Sequence, residues 1–160
     1  MARLKSSAII AALLMGAGLA GCSHEGRRAD LGSDMGLHFN TAGGAATLAY
    51  GRANSDDVGL VLQCQTGSGQ VDVSDVSRSR SAVGLTLISG DARTDLPTRL
   101  DNVTGQPILW AQTSLSAPAL KAFRRNGRIG VTSPGARYAV TANRRERSDV
   151  ERFFTACESA

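Results

Sequence analysis

Histidine occurs twice and cysteine three times in 160 residues, aromatic side chains make up 4% of the chain, and beyond the first residues no long apolar run exists. Each shortage excludes something. His24 and His38 leave little from which to build a serine triad, because the serine needs a base held within hydrogen-bond reach. Gly67-Ser68-Gly69 lacks the Gly-x-Ser-x-Gly spacing of a nucleophile elbow, and no Ser-x-x-Lys occurs. A transition-metal centre needs clustered histidine, cysteine or carboxylate, and a calcium loop needs acids at a spacing that Asn54-Ser55-Asp56-Asp57 lacks. That segment reads as a solvated turn. No cofactor or metal is expected. The absence of apolar runs, repeats and low-complexity tracts, with an ordinary 42% hydrophobic content, excludes a multi-span membrane protein, a collagen-like chain, a coiled coil and a disordered acidic chain. One globular domain remains.

The N-terminus reads as an address. Arg3 and Lys5 precede the apolar stretch Ala8 to Met15, which thins into glycine and alanine and is too short to span a bilayer. It ends in Leu19-Ala20-Gly21-Cys22, which resembles the lipobox of bacterial lipoproteins. The resemblance implies a signal peptide over 1–21, cleavage before Cys22, lipidation of the Cys22 thiol and acylation of its new amine. Three acyl chains hold a protein on a membrane far more firmly than one. Ser23 after the cysteine, by likeness to enterobacterial sorting, points to the periplasmic face of the outer membrane. The expected location is therefore the cell envelope, with the membrane as a partner through the anchor.

With Cys22 given to lipid, Cys64 and Cys157 are the two thiols left in an oxidising compartment, and they are expected to pair. Net charge falls from +4 to +2 once Arg3 and Lys5 are removed, so no nucleic-acid partner is expected. The distribution says more: residues 22–116 carry seven arginines against ten acids, whereas 117–160 carry nine Lys or Arg against four.

Residues 22–44 are polar and glycine-rich, a flexible tether in which Leu37-His38-Phe39 offers a first short strand; 45–160 forms the domain. Period-2 runs follow: Thr47 to Tyr50, then Val58 to Cys64, a turn at 65–69, and Val71 and Val73 alternating with Asp72 and Ser74. Asp72 and Asp75 read as the polar face and end of that strand. Further strands are expected over 82–89 and 106–113, around Trp110. The period changes at Ser116, an apt N-cap, and 117–126 reads as a helix stopped by Asn126-Gly127. Strands 128–132 and 137–141 come next. A last helix is signalled by a capping box at Ser148 and Glu151 and by Val150, Phe153, Phe154 and Cys157 at helical spacing. The class is α+β: a small β-rich sandwich or antiparallel sheet with two short helices in the C-terminal third.

This order of strand with Leu-x-Cys, hairpin, short helix, Gly127-Arg128-Ile129-Gly130-Val131 and closing helix with cysteine resembles small exported lipoproteins of alphaproteobacteria, over roughly 55–157. The resemblance supports the Cys64–Cys157 pair and supplies no catalytic residue. Ser133-Pro134-Gly135-Ala136-Arg137-Tyr138 resembles the Ser-Gly-x-x-Tyr loop of periplasmic C-type lysozyme inhibitors, with Pro134 splitting the motif; as a local signal it is a Pro-Gly turn. The arginines stand above background. Arg124, Arg125 and Arg128 flank the end of the first helix, and Arg144, Arg145 and Arg147 precede the second. Guanidinium forks suit phosphate, lipopolysaccharide or an acidic protein. The expectation is a non-enzymatic envelope lipoprotein that binds another envelope protein or anionic envelope component, with inhibition of a lysozyme-like hydrolase as the alternative.

Overall fold

The computed structural model of the chain describes residues 34–76, 84–102 and 105–158. Cys22, the leader and residues 23–33 of the tether lie outside them. Twelve elements follow in order: β1 Met35–Ala42, β2 Ala45–Arg52, β3 Val58–Gln65, β4 Gln70–Val76, β5 Leu85–Ser89, β6 Ala92–Leu96, β7 Arg99–Asp101, β8 Ile108–Ser114, α1 Pro118–Asn126, β9 Arg128–Ser133, β10 Ala136–Thr141 and α2 Glu146–Glu158. All strand pairings are antiparallel. One sheet runs β1-β2-β3-β4-β8-β7 and the other β10-β9-β5-β6, so the chain is α+β with two sheets.

Alternation decides the core. Leu60, Leu62 and Cys64 of β3, Val71 and Val73 of β4, Leu85 and Leu87 of β5, and Ile129 and Val131 of β9 are all buried, while their neighbours of opposite parity are more exposed. The two sheets and both helices contribute to one apolar cluster. α1 packs against β5, β6 and β9, and α2 against β1 and β2. The helices meet where Phe123 and Phe154 pack edge to face with ring centres 6.4 Å apart.

The C-terminal end of α2 is gripped by the β3–β4 turn. Gly67 N–H donates to Ala156 O at 3.0 Å and Gly69 N–H to Cys157 O at 3.1 Å. These bonds satisfy carbonyls that a helix end otherwise leaves without partners. Beside them Cys64 and Cys157 form a disulfide, their Cα atoms 5.8 Å apart and 93 residues apart in sequence, as the cysteine usage anticipated.

Three expectations are corrected. The domain takes in part of the tether, because β1 pairs with β2 along its whole length from Met35↔Arg52 to Ala42↔Ala45, and a boundary at 45 falls inside that hairpin. Ser116 does not cap α1; its hydroxyl lies 2.8 Å from that of Ser114, and the first-turn N–H of Ala119 donates instead to Thr94 Oγ1 of β6 at 3.1 Å. The capping box of α2 lies five residues before the expected one. Asn143 Oδ1 accepts from Arg145 and Glu146 N–H at 2.9 and 3.0 Å, and Glu146 Oε2 accepts from Asn143 N–H at 2.7 Å.

Candidate functional site

The β9–β10 hairpin builds a cationic corner. β9 starts at Arg128, immediately after α1, and β10 ends at Thr141, shortly before α2, and the register sets Arg128 opposite Thr141. Gly127 is the hinge: it sits in left-handed backbone (φ 68°), donates its N–H to Phe123 O at 2.7 Å and accepts from Ala142 N–H at 2.8 Å. The two arginine clusters, twenty residues apart in sequence, are thereby delivered to one end of the hairpin.

The six arginines then divide by role. Arg124 is structural: its Nε and Nη2 donate to the Glu151 carboxylate, its Nη1 donates to Glu158 Oε1 at 2.6 Å, and its guanidinium lies 5.4 Å from the Phe154 ring centre. These bonds raise the Arg124 pKa and hold the Glu151 carboxyl below the usual carboxylate range. Arg147 is structural too, donating from Nη2 to Arg125 O at 2.6 Å and packing so closely on Gly127 that a Cβ there would lie 2.5 Å from Arg147 Cδ. Arg125, Arg128, Arg144 and Arg145 are exposed, and among the described residues no carboxylate pairs with them. The adjacent acid, Glu146, is spent on backbone: besides closing the cap, its Oε1 accepts from Leu37 N–H at 3.2 Å. That bond also sets the start of β1, and with it the point where the chain enters the domain, beside Arg144 and Arg145.

A second polar cluster lies in the interior. Asp75 of β4 is 1% exposed, and its two oxygens accept from Ser133 Oγ of β9 at 2.8 Å and Tyr138 Oη of β10 at 2.5 Å. Tyr138 stacks on Tyr50 of β2, ring centres 6.3 Å apart. Burial pushes the Asp75 carboxyl up, partly offset by the two hydroxyl donors, and burial with the neighbouring carboxylate pushes the Tyr138 phenol up. The cluster clasps one sheet to the other. Its description corrects the reading of Asp75 as polar face, and the missed signal is parity, since Asp75 falls in step with Val71 and Val73. It also engages the two side chains that an inhibitor loop would present outward, because Ser133 and Tyr138 both donate into the domain. Asp72 behaves as expected, exposed and accepting from Gln112 Nε2 at 3.1 Å.

Among the described residues no group of three or more His, Cys, Asp or Glu is placed to hold a metal ion, and no helix is long and apolar enough to cross a membrane. A concavity of about 350 Å³ lies on the outward face of the six-stranded sheet, over Val58, Gly59, Val61, Ser74, Val76 and Ile108. Compared with known protein families, curated proteins and solved structures, the chain matches none.

Proposed function

We propose that this is a lipid-anchored, non-enzymatic binding module of the bacterial cell envelope, whose contact surface is the corner formed by Arg125, Arg128, Arg144 and Arg145. One observation carries the reading: four exposed guanidinium groups, with no carboxylate partner among the described residues, are brought together where α1, β9 and the start of α2 meet. Concentrating like charge costs stability through self-repulsion and gains attraction for anions. The lipobox supports attachment at Cys22, and the Cys64–Cys157 disulfide fits an oxidising compartment.

The test is crosslinking of the lipidated protein in its native envelope, comparing wild type with a variant carrying Gln at 125, 128, 144 and 145. Arg124 is left intact because it holds α1 to α2. A crosslinked species recovered by wild type and lost in the variant supports the reading. Equal recovery by both proteins overturns it.

A further inference from the structure

Resting on that reading, we infer that the anion met by the arginine corner is the phosphate surface of the same bilayer that carries the anchor. The argument is positional. The chain enters the domain at Met35, and the bond from Leu37 N–H to Glu146 Oε1 fixes this point against the first turn of α2, whose preceding residues are Arg144 and Arg145. Arg128 and Arg125 lie on the strand and helix that meet across Gly127, whose carbonyl accepts from Ala142 just before that turn. The start of β1 and the cations therefore lie on the same side of the domain. An anchor pulling at Cys22 draws that side, rather than any other, toward the membrane.

Distance and charge agree with this placement. Twelve residues, Ser23 to Asp34, separate the expected lipid site from β1, and a chain of that length reaches at most about 40 Å. A group held within such a reach meets the surface at an effective concentration in the millimolar range, so individually weak contacts are occupied. Each arginine near an anionic leaflet is favoured by about 1 kcal/mol, or about fivefold. Salt screens the attraction beyond about 8 to 10 Å, so the preference requires the corner to lie at the surface. Guanidinium forks match phosphate oxygens in pairs. The adjoining Glu146 carboxylate, bonded to the Asn143 and Leu37 N–H groups, offsets one of these charges, and the four guanidinium groups outnumber it.

Arginine modification by phenylglyoxal reads the contact directly. The lipidated full chain is reconstituted into phosphatidylcholine vesicles with and without phosphatidylglycerol, and modification of each arginine is measured by peptide mass mapping. Labelling of Arg125, Arg128, Arg144 and Arg145 is expected to fall about fivefold in the anionic vesicles. Arg137, exposed at the opposite end of the hairpin, serves as the unchanged control. Inorganic phosphate added to the phosphatidylcholine vesicles separates the sources: equal protection there assigns the corner to a free anion and overturns the membrane contact. Equal labelling in both vesicles also overturns it. Protection seen in whole envelopes but absent from lipid-only vesicles sinks the bilayer as the partner while leaving the binding-module reading intact, and points to an acidic protein.

Discussion

Asp75 is an acid placed where its strand calls for a valine, and its two hydroxyl partners make that tolerable. Truncating either donor leaves a buried carboxylate oxygen short of a bond, which costs about 1 to 3 kcal/mol. Tyr138→Phe is therefore expected to lower the unfolding free energy by that amount in urea titration, and Ser133→Ala similarly. The pH dependence has a definite sign. Asp75 has a folded-state pKa above its unfolded value, so its contribution is greatest below about pH 4 and declines as pH rises through the raised folded value. Asp75→Asn removes this slope. The stability gap between wild type and Asp75→Asn should accordingly shrink from pH 4 toward neutrality in thermal melts, and a constant or widening gap would contradict the assignment. Each member of the cluster was readable by parity, Asp75 with Val73, Ser133 with Val131 and Tyr138 with Val140. Their meeting was not readable, because parity gives the face of a strand and says nothing of which residue the facing sheet supplies.

Between elements, the decisive contacts are those that one segment lends another. The first turn of α1 takes its cap from Thr94 in β6, which explains why a local search stops at Ser116. Asn143 serves α2 from its own sequence neighbourhood, and Asn143→Ala should cost about 1 kcal/mol of stability. Arg124 and Arg125 are adjacent and chemically identical, so they form an internal comparison. Arg124→Gln breaks the bonds to Glu151 and Glu158 and should lower the melting temperature, modestly, since exposed pairs contribute about 0.2 to 1 kcal/mol each. Arg125→Gln should leave the melting temperature unchanged and weaken envelope binding. The strands rich in alternating Val and Leu were legible. β6 and β7 were not, because Ala92-Arg93-Thr94-Asp95-Leu96 buries only Leu96 and pairs Arg93 with Asp95 on the exposed side, so the period-2 signal is nearly absent.

For the molecule as a whole, periodicity indicated the α+β class and cysteine usage the disulfide, while the arrangement of the sheets is visible in the fold alone. β4 pairs not with the next strand but with β8, and β5 and β6 depart to the second sheet. Alternation marks strands without naming their neighbours. The disulfide closes a 93-residue separation and so restricts the unfolded chain strongly; its reduction, or Cys64→Ala with Cys157→Ala, should lower the unfolding free energy by about 2 to 5 kcal/mol, measured by urea titration with and without reductant.

The grip on α2 also dictates a timetable. β1 receives Glu146 of α2, and the β3–β4 turn receives the carbonyls of Ala156 and Cys157, so the earliest strand and the central hairpin both wait for the same late segment. During synthesis at about 5 to 20 residues per second, the strands emerge in turn, and the α2 groups that β1 and the β3–β4 turn receive arrive last of these. Such long-range closure is slow and holds the growing chain open. Until α2 is made, the start of β1 and the β3–β4 turn lack the partners that hold them in the folded domain.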